Sequence, residues 1–298
     1  VSILLALLVD WLFGEPSPRF HPVVWMGKYL EVTGRNLPRK PPLKAFLLGT
    51  FAWGAGALAV VSLYGVLTGA LAYLPPLLEV ALTGLLLKPL FSFRFLFEEV
   101  LRVEEALPFD LDEARFRLSR IVSRETVDLE ESEVREGAIE SLAENLCDSL
   151  IAPLFWFLLL GLPGAAVYRF ANTADAMWGY RGEWEWAGKF SARMDDFMNW
   201  IPARLTAFVL WLGDRSLSLK KVAREAQKTP SPNAGWPMGA VALLFHMRLS
   251  KRGSYELNPS GGKPTSARFT KAIFYLAFSG WVAGILFGFG EWLRRSYG

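Results

Sequence analysis

The sequence predicts an all-α polytopic membrane protein. Three observations carry that prediction. The 298 residues are 52% apolar and only 20% charged, with a mean hydropathy of +0.25. Soluble domains average about 25% charged residues. The apolar residues are also clumped: Ala45–Leu74 is a charge-free run of 30 residues and Ala272–Gly290 one of 19, against the roughly 20 that a bilayer-crossing helix requires. Finally, Gly, Pro and polar clusters separate the apolar runs. About four to five membrane-embedded segments are expected in a single integral membrane domain, residues 1–298.

The elements follow in chain order. Residues 1–13 open as a short apolar span. No basic n-region or small-residue cleavage site precedes it, so no removed signal peptide is expected. Gly14, Pro16, Pro18 and Pro22 then break any helix, predicting a loop that gathers Asp10, Glu15, Arg19 and His21. Residues 14–44 carry six Lys and Arg, with a cluster at Arg35, Arg39, Lys40 and Lys44, which by the positive-inside rule puts this loop in the cytoplasm. The span 45–74 crosses outward, Pro75-Pro76 turns the chain, and 77–97 returns. Glu79, Lys88 and Arg94 in the return segment should face protein or the interface. Gly54-x-Gly56 and Gly65-x-x-x-Gly69 lie inside an apolar run and read as close helix packing rather than a nucleotide fingerprint.

Residues 98–149 hold sixteen of the 29 acids, which argues against nucleic-acid binding there. They read as cytoplasmic amphipathic helices. Glu133, Gly137, Glu140, Glu144 and Asp148 share one side at i, i+4 spacing, for which a solvated face is the ordinary explanation. Glu144-Asn145-x-x-Asp148 runs directly into an apolar segment, where water is scarce and a cation or arginine partner is favoured. Gly161-Leu162-Pro163-Gly164 divides 150–171 into halves too short to span. A kinked span and a re-entrant hairpin both fit. The hairpin is preferred because it returns Asn172 and Asp175 to the side of Asn145 and Asp148, giving one aqueous site with two halves.

Asn172–Arg204 is densely polar, with four tryptophans at 178, 184, 186 and 200 that suit either an interfacial belt or a stacking platform. Ser191–Asn199 reads as a helix that Pro202 interrupts, with Arg193, Asp196 and Asn199 on one face and Asp195 beside it. Further on, a basic helix is expected at 217–228, a rigid loop at 229–237, a helix at 238–250 carrying His246, a loop at 253–266 and a last span at 272–290. The parts facing the cytoplasm and holding the site are then 10–44, 98–149 and 172–271.

One cysteine and two histidines leave no set for a cysteine-based zinc site, and no haem or flavin motif is present. Carboxylates with amides at helix ends suit Mg²⁺, which takes one or two carboxylates plus phosphate oxygens. Arginines such as Arg193 and Arg204 suit phosphate. On residues alone the chemistry is phosphoryl or nucleotide transfer at the membrane face. Transporters and sensors place their acids mid-span, and magnesium-dependent membrane prenyl- or phosphotransferases use paired Asp-rich motifs; both remain alternatives.

The motifs resemble those of the CbiB/CobD family, the adenosylcobinamide-phosphate synthases of cobalamin biosynthesis. The matching stretches run in order over most of the chain: Asp10-x-x-x-Gly14-Glu15-Pro16 with His21-Pro22-Val23-Val24; Arg124-Glu125-Thr126; Glu140-Ser141-x-x-Glu144-Asn145-x-x-Asp148; Asn172-Thr173-x-Asp175; Arg193-x-Asp195-Asp196-x-x-Asn199-x-x-Pro202-Ala203-Arg204; and Ser231-Pro232-Asn233-Ala234-Gly235-Trp236-Pro237. Glu15 and Glu125 stand where Asp is usual, and Ala176 where Ser is usual. The resemblance implies a cell-membrane ligase with its site facing the cytoplasm. It would join the f propionate of adenosylcobyric acid to aminopropanol or its O-phosphate, with ATP and Mg²⁺, through an acyl phosphate. Its partners would be the corrinoid, the amine, the lipid bilayer and other membrane enzymes of late cobalamin assembly, with no nucleic acid. Glu144, Asp148, Asp175 and Asp196 become the catalytic candidates, the first three also as Mg²⁺ ligands. Arg193, Arg204, Asn145, Asn172, Asn199, His21 and Asn233 become the substrate- and phosphate-binding candidates.

Overall fold

A computed structural model describes residues 1–297. The chain is helical almost throughout: α1 (Ser2–Phe13), α2 (Pro22–Gly34), α3 (Pro42–Leu71), α4 (Pro76–Leu87), α5 (Arg94–Ala106), α6 (Leu111–Ser119), α7 (Glu131–Leu146), α8 (Ala152–Trp178), α9 (Lys189–Gly213), α10 (Leu219–Ala226), α11 (Gly235–Leu244) and α12 (Ser266–Tyr297). One two-stranded antiparallel hairpin, β1 (Leu249–Lys251) and β2 (Tyr255–Leu257), pairs Ser250 with Glu256. Among the described residues, four helical stretches are long and apolar enough to cross a membrane: 42–71, 76–106, 131–178 and 266–297. The expected all-α membrane architecture holds. The described residues form two compact units, the first of 1–92, 152–199 and 284 onward, the second of 93–151 and 200–283.

In the first unit, α3 packs on α2 and α8. Gly56 makes this approach close, since a Cβ there would meet the rings of Phe170 and Tyr29. Gly54, Gly65 and Gly69 face open space, so of the glycine pairs only Gly56 serves packing; the others look outward on a helix with many exposed apolar side chains. Gly56→Leu is therefore expected to cost about 1–3 kcal/mol by overpacking. Gly54→Leu, on the open face, should leave the unfolding midpoint in detergent unchanged. A midpoint lowered equally by both would contradict this packing.

Residues 152–178 turn back on themselves. Gly161 has φ 68° and ψ −158°, outside any helix. A Cβ on Gly164 would lie 2.5 Å from the carbonyl oxygen of Trp156. In an unbroken helix residues eight apart are separated by about 12 Å along the axis, so the segment is the hairpin and not the kinked span. Each charge in the return segment has a protein partner within its own unit: Glu79 with Arg295, Lys88 with Asp10 and Glu15, Arg94 with Glu98.

Several expectations are corrected. Pro202 does not interrupt α9, which runs on to Gly213. A proline leaves the carbonyl four residues earlier without its helical donor, and the indole Nε1 of Trp156 donates to that oxygen, Met198 O, at 3.1 Å. The helix expected over 238–250 runs from Gly235 to Leu244. His246 has φ 49°, and the chain passes into β1. The middle of the acidic side of α7 is not a solvated face: from Val134 to Ala143 every residue is buried, Glu140 included, and only Glu133, Glu144 and Asp148 at its ends are partly exposed.

Candidate functional site

In the first unit, α8 and α9 hold a ladder of polar side chains. Tyr168 Oη donates to Asn199 Oδ1 at 2.9 Å, Asn199 Nδ2 donates to Asp195 Oδ2 at 3.1 Å, and Asn172 Nδ2 donates to Asp195 Oδ1 at 3.3 Å. The pairs advance one turn along each helix in opposite directions, as neighbours on antiparallel helices must. Tyr168 and Asn199 are buried. Asp195 thus receives one amide on each oxygen. Burial, and then the Asp175 carboxylate nearby, push its pKa well above the ordinary carboxylate range. Gly179 lets Asp175 occupy this position, because a Cβ at 179 would strike the Asp175 carboxylate. Asp196, one residue on, is half-buried. Burial raises it as well, partly offset by Arg193.

Asn172, Asp175 and Asn199 are therefore brought together, with Asp195 at their centre. The expected site set omitted Asp195. The helical wheel placed it off the face of Arg193, Asp196 and Asn199, but its i, i+4 relation to Asn199 was the available signal. Tyr168 was missed because nothing local separates a buried polar tyrosine from a packing one.

His21 has a different place. Its Nδ1 accepts from Val23 N–H at 3.2 Å, capping α2, and its Nε2 contacts Glu15 Oε2 at 3.1 Å. Glu15 also accepts from Lys88 Nζ at 2.7 Å and Ser92 Oγ at 2.6 Å, and Lys88 reaches Asp10 at 2.9 Å. Burial opposes the Glu15 charge, yet His21, Lys88 and Ser92 outweigh it and hold the carboxyl down to about 2. Both ring nitrogens of His21 are engaged within the fold. Trp178 is likewise structural, 1% exposed and stacked on Trp184, with Gly34 against its ring, so it offers no open face.

In the second unit, the Cys147–Ile151 stretch continues α7 as a π-helical turn, a feature that recurs at functional sites. Between Val134 and Leu154 every residue is buried except Glu144, Asn145 and Asp148, which open as one stripe. Asn145 is oriented at both ends: Nδ2 donates to Ser141 O at 3.0 Å and Oδ1 accepts from Ser149 Oγ at 3.1 Å.

Arg204 lies over two indoles, 4.4 Å from the Trp200 ring and 4.8 Å from the Trp236 ring. Its Nη1 donates to Trp200 O at 2.6 Å and to Asn233 Oδ1 at 3.1 Å, and its Nη2 reaches Pro232 O at 3.5 Å. A guanidinium has five N–H donors, so the clamped group keeps donors for an anion. Burial lowers its pKa, far too little to discharge an arginine. In the loop before α11, Ser231 Oγ accepts from Asn233 N and Ala234 N, each at 3.2 Å. Outside the expected site set, though within the stretches quoted for the resemblance, Arg124 pairs with buried Glu140 and donates to Ser250 O at 3.1 Å. Ser250 Oγ donates to buried Glu136 at 2.6 Å.

Among the described residues no group of three or more His, Cys, Asp or Glu is arranged to hold a metal ion. A protein-only magnesium cage is thus not built. The donor set fits magnesium carried on nucleotide phosphates, which asks for one or two carboxylates and keeps its waters.

A model of the CobD/Cbib protein family matches residues 3–274. The chain belongs to that family. The "Probable cobalamin biosynthesis protein CobD" of Thermococcus kodakarensis is 40% identical over 285 residues, 95% of this chain and 93% of that protein. The protein of the same name from Pyrococcus furiosus is 39% identical over 275 residues, 92% of each chain. The "Cobalamin biosynthesis protein CobD" of Dehalococcoides mccartyi is 37% identical over 262 residues, 85% of each. No solved structure matches. Asn172-x-x-Asp175 and Asp195-x-x-x-Asn199, two of the stretches on which the resemblance was drawn, meet in the α8–α9 ladder.

Proposed function

We propose that this CobD/Cbib chain is the amide-forming ligase of cobalamin biosynthesis, attaching aminopropanol or its O-phosphate to the f propionate of adenosylcobyric acid. The observation that carries the reading is the Asp175–Asp195 pair, a carboxylate with raised proton affinity fixed by two amides. An amine nucleophile arrives as an ammonium and must lose a proton, and a general base is most effective when its pKa lies near the working pH. Asp195 takes that proton in this reading, and Asn172, Asn199 and Tyr168 hold its carboxylate in register. ATP with Mg²⁺ supplies the activation of the propionate as an acyl phosphate. Glu144 at the end of α7 and Asp148 in the π-helical turn after it are the groups for Mg²⁺ or the amine, and Asn145 presents its amide beside them. Arg204, locked between Trp200 and Trp236 and steadied by Asn233, is the phosphate clamp. Arg193 is exposed and balances Asp196. His21 is reassigned from substrate contact to support of the Glu15–Lys88 cluster. The reading puts the enzyme in the cell membrane with Arg35, Arg39, Lys40 and Lys44 on the cytoplasmic side.

The test is mass spectrometry of products from the purified full-length protein. Given adenosylcobyric acid, ATP, Mg²⁺ and either amine form, the expected product is the corrinoid amide with ATP consumed in step. ATP hydrolysis indifferent to both corrinoid and amine would defeat the proposal.

A further inference from the structure

Helix α10 carries its charges unlike the other surface helices of the second unit. Those pair them along the helix: Asp112 with Arg115 and Glu113 with Arg117 on α6, Arg94 with Glu98 on α5, Glu131 with Arg135 on α7. Alternating signs at i, i+3 and i, i+4 are the pattern of a helix that faces water. On α10, Val222 and Ala226 are buried, and Lys220, Lys221 and Arg224 are exposed on the opposite side. Residues 214–228 hold five cations against two carboxylates, Asp214 and Glu225. Glu225 is already engaged, by Lys228 Nζ at 2.7 Å and by the Asn258 N–H at 2.7 Å. Among the described residues, none of Lys220, Lys221 and Arg224 forms an ion pair. A helix with a cationic outer face and an apolar inner one suits a membrane surface.

The neighbouring contacts put α10 at such a surface. Lys271 is the last charge before the charge-free run 272–290 of α12, and Tyr275 follows one turn on, at the edge of the hydrocarbon. Tyr275 Oη donates to Leu210 O, and a Cβ on Gly213 would meet the same hydroxyl. The end of α9 therefore docks on α12 at that edge. Phe274, beside Tyr275, is 71% exposed. On α9, Phe208 stacks on Trp211, and the Arg215 guanidinium lies 4.5 Å over the Trp211 ring. An indole with an arginine over it is an anchor of the headgroup level, apolar on one side and charged on the other. Helix α10 begins at Leu219, four residues beyond Arg215.

We propose that the outer face of α10, formed by Lys220, Lys221 and Arg224, lies on anionic phospholipid headgroups of the leaflet at which α12 enters the bilayer, and gathers acidic lipid around this end of the protein. The surface is separate from the ligase substrates and stands whether or not the ligase reading does. Each Lys or Arg held at an anionic surface raises affinity about fivefold, and the attraction fades beyond about 8 Å at physiological salt.

Lipid quenching beside the helix tests this. Gln227, exposed at the end of α10, is replaced in Gln227→Cys and labelled with a thiol-reactive fluorophore; the native Cys147 is buried. The full-length protein is placed in phosphatidylcholine nanodiscs in which a minor share of the lipid is brominated, either as phosphatidylglycerol or as phosphatidylcholine. Brominated phosphatidylglycerol should quench at least about fivefold more strongly, and added salt should remove the excess. Lys220→Gln/Lys221→Gln/Arg224→Gln, all at exposed positions, should abolish it at an unchanged unfolding midpoint. Equal quenching by the two lipids in the otherwise wild-type protein, the result for a face that meets only water or holds a soluble polyanion, overturns the proposal. So does an excess that survives the triple substitution.

Discussion

Arg124→Met is expected to destabilise the protein by about 3–5 kcal/mol, the usual consequence of stranding one member of a buried ion pair. The asymmetry of the pair gives the prediction its sharper form. The Glu140 side chain is 3% exposed and that of Arg124 13%. Without Arg124 the Glu140 carboxylate has no route to water, and Glu136, one turn earlier on α7 and also buried, adds like charge. Without the Glu140 charge, Arg124 still has Ser250 O and partial access to solvent. Glu140→Gln should therefore cost less than Arg124→Met, and the double variant should return close to Glu140→Gln alone. Denaturant unfolding in detergent by intrinsic fluorescence measures all three. An Arg124→Met protein that unfolds at the wild-type midpoint would contradict the pairing, and a double variant worse than both singles would contradict the asymmetry.

The same helix shows where reading from sequence stopped. The i, i+4 acids of α7 have the spacing of a solvated face, and spacing is all that a helical wheel provides. What neutralises them comes from far along the chain: Arg124 for Glu140, Arg248 and Ser250 for Glu136, Arg252 for Glu133. Such partners are invisible to periodicity. Where the controlling interaction is local, the sequence was enough. The Gly161–Gly164 break is a property of the backbone itself, and it produced the hairpin. The spans follow from apolar length, with α3 shifted three residues from its expected bounds. Pro202 was misread because the penalty of a proline in a helix was counted without its remedy, a tryptophan 46 residues earlier whose indole caps the orphaned carbonyl. In the candidate site, the grouping of Asn172 and Asn199 around Asp195 follows stretches on which the resemblance was drawn. Asp195 gains its importance only when α8 packs on α9 and Asp175 is brought to it.

Asp195→Asn is expected to lower kcat for amide formation by about 10²–10⁴, the range for removing a general base, with KM for the corrinoid little changed. The pH profile separates a base from a scaffold. A carboxylate accepts protons only when ionised, and burial together with the Asp175 charge raises the pH at which Asp195 ionises. Activity should therefore fall as pH drops through that raised value, giving the profile an acid limb well above the ordinary carboxylate range. Asp175→Asn removes the neighbouring negative charge, so Asp195 then ionises at lower pH and the acid limb moves toward acid; burial remains, so the limb does not return all the way. Phe197→Leu, on an exposed position of the same helix, provides a reference in which the limb should stay fixed. If Asp195 served only to orient Asn172 and Asn199, Asp175→Asn would change the rate at every pH alike and leave the limb where it was.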